Sequence, residues 1–132
     1  SAYLSEPALA QEIERLGGSV PNGFASILEG AAAGDEVVLN VLDHTGEVLG
    51  SAVSSLINIF NPPMVLLGGN IALAQSYLSV AMDRALMRLA HPAMYSRSTV
   101  KFSEISEGMP LLGGVAIALD GVTSLDGSHV LQ

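Results

Sequence analysis

Cysteine is absent from the 132 residues. That excludes disulfides, thiolate zinc sites and cysteine nucleophiles within the chain, and it fits a reducing compartment. Basic residues are scarce: five Lys and Arg stand against thirteen Asp and Glu, a net charge of −8. So acidic a chain repels phosphate backbones, and direct contact with nucleic acid is not expected. The acidity serves solubility. Charged residues of both signs make up 14% and hydrophobic ones 49%. Either the fold is nearly all core or an apolar surface meets a partner, and the second is our expectation. The length fits one domain, residues 1–132, large enough for a core without staples.

No charged residue occurs from Val48 to Met82. A spanning helix needs about 20 apolar residues without a break. This stretch is broken by Asn61-Pro62-Pro63 and Gly68-Gly69-Asn70, and diluted by Ser51, Ser54, Ser55 and Asn58. No basic region leads an apolar run at the N-terminus, so no signal peptide is visible. The expectation is a cytoplasmic chain with no membrane partner.

Leu4 to Leu16 reads as a helix, with Ser5 as N-cap, Pro7 in the first turn and Leu9, Ile13 and Leu16 as its apolar stripe. Gly17-Gly18 stops it. After a loop with turn chemistry at Pro21-Asn22-Gly23, Phe24 to Ala33 is a short helix. Asp35-Glu36 opens a long helix that runs to about Phe60, with negative charge at its positive dipole end. Val38, Leu42, Leu49, Val53, Leu56 and Phe60 recur at helical spacing. Gly46, Gly50 and Ser54 form a second ridge, four apart. Each helical glycine costs roughly 1 kcal/mol relative to alanine, so two on one ridge predict that another backbone crosses closely there.

Asn61-Pro62-Pro63 ends the long helix. Met64 to Leu67 has the length of a buried parallel strand. Gly68-Gly69-Asn70 reads as a tight turn, and Ile71 to Leu89 as a helix with Leu78, Met82, Leu86 and Leu89 inside and Asp83, Arg84 and Arg88 outside. His91-Pro92 breaks it. Thr99 to Ser103 is β-rich, and Leu111 to Leu119, apolar on nearly every side, reads as a buried final helix before a tail at 122–132. The class is therefore α/β: helix-rich, with a small sheet of two parallel strands joined through a helix in a right-handed crossover. Two strands make a poor sheet. The expectation is a fragment, completed by upstream residues or by another copy.

The ordered set Ala33-Gly34-Asp35, Leu49-Gly50, Asn58-Ile59-Phe60-Asn61-Pro62, Val65-Leu66-Leu67-Gly68-Gly69 and Leu111-Leu112-Gly113-Gly114-Val115-Ala116 resembles the C-terminal half of ROK family proteins. The resemblance covers roughly residues 24–122, and only the order makes it specific. It implies the C-terminal lobe of the ribonuclease H-like (actin-like ATPase) fold. Family kinases transfer phosphate from ATP to a sugar hydroxyl. Other members are repressors with an N-terminal winged helix-turn-helix and a sugar-responsive body. The family's first phosphate loop, catalytic aspartate, sugar-contacting Glu and His, and zinc motif lie upstream of the matching region. The opening of the chain looks like the helix after that zinc motif. The N-terminal lobe and any DNA-binding head would thus be missing, ATP and zinc would belong to the full-length parent alone, and no catalytic residue or metal ligand is assigned here.

Two glycine sites stand out. Gly68, Gly69 and Asn70 would join a strand to a helix N-terminus, where unpaired backbone donors can hold an anion. In ROK kinases the corresponding loop lies against the nucleotide. Asn70 stands where those kinases usually have glycine or serine, and Gly-Gly-Asn is also simply a turn that tolerates positive φ. Gly113 and Gly114 correspond to small residues that let the last helix approach the nucleotide loop in kinase relatives; close helix packing alone also explains them. His44, His91 and His129 lack companions at metal spacing. Glu104 and Glu107 read as solvated loop carboxylates, Glu12, Glu14 and Glu29 as a solvated face, and no serine sits in a nucleophile elbow.

Three functions remain open at this level. The first is the effector-response and dimerisation lobe of a ROK repressor, responding to a sugar effector and suggested by Asn70 and by the tail ending Val130-Leu131. The second is the ATP-covering lobe of a ROK sugar kinase. The third is an oligomerisation module, a homo-oligomer built on the apolar composition and the glycine ridge. In each the chain's first partner is the missing N-terminal lobe or a second copy.

Overall fold

The computed structural model describes residues 6–103 and the strand at 115–120. The order is α1 (Glu6–Arg15), α2 (Phe24–Ala32), α3 (Glu36–Phe60), β1 (Met64–Gly69), a 3-10 helix (Asn70–Ala74), α4 (Gln75–Leu89), α5 (Pro92–Ser96), β2 (Thr99–Phe102) and β3 (Val115–Asp120).

The long helix is punctuated as its sequence demands. The Asp35 carboxylate accepts from the backbone N–H of Val37 (2.9 Å) and Val38 (3.3 Å), satisfying donors that an uncapped start would leave open. Asn61 ends it in the left-handed region at φ 47°, donating its N–H to the Ile57 carbonyl, and Pro62 prevents continuation. Between these ends Val38, Leu42, Leu49, Val53 and Ile57 are buried on one side.

On the other ridge the expected close crossing is present, and the partner is α4. A Cβ built on Gly46 would lie 2.6 Å from the Leu78 carbonyl oxygen, and one on Gly50 2.6 Å from that of Met82. Ala81 and Ala85 keep the facing surface of α4 equally low, their Cβ atoms standing 3.0 and 2.7 Å from those same points. Ser54 continues the ridge, buried, and turns its hydroxyl back to donate to the Gly50 carbonyl at 2.7 Å. Contacts ascend both helices together, Gly46 with Leu78, Gly50 with Met82 and Asn58 with Leu89, so α3 and α4 run parallel.

A ladder of ion pairs flanks this contact. Arg84 reaches Glu47 (3.1 Å) and Asp43 (3.4 Å), and Arg88 reaches Glu47 (3.5 Å). Asp43, Arg84 and Arg88 are exposed and Glu47 is half-buried, so the ladder selects register more than it adds stability. The hydrogen bond from Arg84, with the nearby charge of Arg88, holds the Glu47 carboxyl below its ordinary pKa against a smaller opposing effect of burial.

The sheet has the order β2-β1-β3. β1 pairs parallel with β2, Val65 with Val100 and Leu67 with Phe102, as the helical connection requires. Val65 and Leu67 are fully buried. The expected final helix at Leu111–Leu119 is overturned over its described part. Val115–Asp120 is a strand, antiparallel to β1 with Val115 opposite Gly69 and Asp120 opposite Met64. A short apolar run has no periodicity to separate buried helix from buried strand, and the unpaired second edge of β1 supplies the backbone partners that decide for strand. The sheet is therefore mixed and three-stranded, and the expectation that its other strands must come from outside loses its force.

Smaller departures follow from packing. Leu89 and Leu16, expected on inner faces, are 42% and 47% exposed because each stands at its helix end. The helix expected from Ile71 opens as a 3-10 segment and becomes α-helical only at Gln75. The short α5 was not foreseen; Pro92 occupies its first turn. Among the described residues no helix is long and apolar enough to cross a membrane.

Two outcomes test this packing. Gly50→Ala should destabilise the chain by roughly 1–3 kcal/mol through overpacking, although propensity alone favours alanine by about 1 kcal/mol; Ser51→Ala next to it should stay within about 0.5 kcal/mol in urea melts. Glu47 should titrate below an ordinary glutamate by NMR. Its contribution is then present above the unfolded pKa and lost as pH falls through the folded one, and Glu47→Gln should remove that part of the acid sensitivity.

Candidate functional site

The glycine pair with the strongest chemical promise lies where β1 gives way to the crossover. Gly68 and Gly69 are both buried, and both belong to the strand rather than to a turn. Gly69 has φ 103° and ψ −172°, a conformation closed to other residues without strain. It redirects the chain into the 3-10 helix that Asn70, exposed, begins. The N-terminus of α4 comes five residues later, preceded by Ala74 with no side-chain cap. The glycines therefore do not abut an α-helix N-terminus, and the aligned donors and dipole that hold phosphate there are displaced from them.

Gly113 and Gly114 lie outside the described residues, as do His129, Glu104, Glu107 and the tail at 122–132. Val115, one residue after Gly114, is the register partner of Gly69.

The remaining candidates are dispersed. His44 lies on α3 beside α1 and, through its charge, contributes a minor share to the lowered pKa of Glu12, whose main cause is the hydrogen bond from Arg15. His91 precedes α5. Among the described residues no group of three or more His, Cys, Asp or Glu is placed to hold a metal ion. A thiolate zinc site does not fit a chain without cysteine, and nucleotide phosphates do not fit the Gly69–Asn70 junction in the way a strand-to-α-helix loop holds them.

Sequence reasoning quoted Asn58 as part of a motif and gave it no role. Its side chain clamps the end of α4: Nδ2 donates to the Leu89 carbonyl (3.1 Å) and Oδ1 accepts from the His91 N–H (2.7 Å). It satisfies a helix-terminal carbonyl and the second amide beyond the helix, tying the last turn of α3 to that of α4. An amide in the last turn of a helix, shortly before Asn-Pro-Pro, was the available signal.

The family model described as "ROK family" matches residues 1–121. The chain belongs to the ROK family. A glucokinase of Thermotoga maritima is 28% identical over 106 residues, covering 80% of this chain and 33% of that protein. A putative xylose repressor of Caldicellulosiruptor sp. is 25% identical over 93 residues, covering 70% of this chain and 23% of the repressor. In structure, the chain is similar to a ROK family transcriptional regulator described as a homolog of the E. coli MLC protein, with a TM-score of 0.69 and 24% identity over 79% of this chain and 28% of that one. At that identity the likeness establishes the fold. The chain thus spans about a third or less of the length of these relatives, and the family contains both sugar kinases and repressors. Within this ROK chain, Asn58 holds the C-terminal end of α4, the end opposite the glycine site.

Asn58→Ala should lower stability by about 1 kcal/mol, or roughly 3–4 °C in Tm for a chain of this size. Hydrogen exchange should localise the loss to the ends of α3 and α4; uniform acceleration across the chain would show that the clamp is not local.

Proposed function

We propose that this chain is the C-terminal effector-response and oligomerisation lobe of a ROK-type, sugar-responsive transcriptional regulator, built on the ribonuclease H-like fold and inactive by itself. The observation that carries the reading is the junction at Gly69 and Asn70. A 3-10 helix, rather than an α-helix N-terminus, follows the glycine pair, which weakens the case for a phosphate cradle and so favours the regulator over the kinase. The likeness to a xylose repressor supports the same choice. With a net charge of −8, the lobe leaves DNA contact to another part of the polypeptide. Its partners in this reading are the N-terminal lobe, a second copy and a sugar effector.

A second reading has its own support, since the match to the Thermotoga glucokinase covers 80% of this chain. In it the lobe covers ATP while upstream residues carry out phosphoryl transfer from ATP to a sugar hydroxyl, and Gly68, Gly69, Gly113 and Gly114 border the nucleotide. ATP, and zinc at an upstream cysteine-containing site, then belong to the full-length protein.

The two separate in one experiment on the full-length polypeptide. The regulator reading predicts that a sugar changes its affinity for promoter DNA while no ADP forms from ATP with common hexoses. ATP-dependent hexose phosphorylation without sugar-dependent DNA binding would overturn it.

A further inference from the structure

Helices α1 and α3 do not close on each other along their whole length. Between them lies a cavity of about 250 Å3. Leu9 and Val41 form its apolar wall, with Ala8 on the α1 side. Glu12 and Arg15, also at the cavity, neutralise each other through hydrogen bonds of 2.7, 2.9 and 3.1 Å, so this pair offers no net charge to an occupant. Leu16 extends the apolar lining, and α3 adds the polar side chains of Asn40, His44 and Thr45, of which Thr45 is 2% exposed. Its hydroxyl donates to the Val41 carbonyl at 2.7 Å. That bond uses its one hydrogen and leaves the oxygen able to accept.

These features select a ligand class. The volume exceeds the roughly 150 Å3 of a cavity that holds benzene and falls short of the roughly 300 Å3 at which drug-sized sites begin. A substituted single ring fits. The apolar walls Leu9, Leu16 and Val41 favour a ring face over a sugar, whose hydroxyls on that side would be left unpaired. A charged ligand would meet no free counter-charge in the Glu12–Arg15 pair.

We propose that the cavity between α1 and α3 binds a small uncharged aromatic molecule bearing one hydrogen-bond donor, with Thr45 Oγ1 as the acceptor and Leu9 and Val41 as the walls. The site is separate from Gly68, Gly69 and Asn70 and does not rest on the regulator reading. It bears on the crossing of the long helices, because Thr45 is followed directly by Gly46, which meets the Leu78 carbonyl.

The test titrates the 132-residue chain with p-cresol and with 4-methylanisole, its donor-free ether, and follows backbone amides by NMR. Saturable shifts are expected at residues 8–16 and 40–45, with a Kd of about a millimolar for p-cresol and about fivefold weaker for the ether. Thr45→Val removes the acceptor at nearly constant volume and should bring p-cresol to the affinity of the ether. Ala8→Leu should fill the cavity and abolish the shifts while circular dichroism retains the helices. If Ala8→Leu fails to fold, the comparison with Thr45→Val decides alone. Equal affinities of the two probes, non-saturating shifts centred on exposed Val80 and Met87, or binding unchanged by Ala8→Leu would each overturn the proposal.

Discussion

Carbonyl oxygens of α4 stand where side chains of α3 would otherwise be. With Leu78 and Met82 each placing an oxygen 2.6 Å from a hypothetical Cβ, the two long helices approach to backbone contact, and only glycine at positions 46 and 50 permits it. The cost in helix propensity is about 1 kcal/mol per glycine. Close approach offsets it with dispersion contacts along the ridge and with burial of the apolar neighbours Leu49, Val53, Leu78, Met82 and Leu86. Because the contact is one of shape, it tolerates little sliding. The Arg84 and Arg88 pairs with Asp43 and Glu47 on one flank and the Asn58 clamp at one end favour the same register.

The position of the sheet follows from this. β1 leaves α3 through Asn61-Pro62-Pro63 and returns to α4 through Gly69, so the strand is tethered at both ends by helices whose mutual placement is set. Buried Val65 and Leu67 pack into the common core, and β2 pairs with the strand already held there. The glycine site at Gly68 and Gly69 thereby sits at one end of a rigid strand, but the helix dipole of α4 begins only after the intervening 3-10 segment.

Much of this was legible in the residues. Punctuation by Asp35, Asn61-Pro62-Pro63 and Gly17-Gly18 marked helix ends, because those residues act through local backbone chemistry. The i, i+4 glycine ridge declared a close neighbour without naming it, since spacing reports a need and topology supplies the partner. Val115–Asp120 was misread because an apolar run without periodicity takes its form from the edge it meets, here β1. Asn70 begins the 3-10 start of the crossover, which was not foreseen because the local residues gave no distinct signal for it. Asn58 was missed because its partners, Leu89 and His91, are more than thirty positions away.

The central claim is that α3 and α4 form one cooperative unit through their glycine-lined contact. Native-state hydrogen exchange measures this directly. Amides at 46–57 in α3 and 78–86 in α4 should exchange only through global unfolding, with the same free energy and the same dependence on denaturant. If the α4 amides opened at a distinctly lower free energy while α3 stayed protected, the two helices would be separable, and the account built on their crossing would be contradicted.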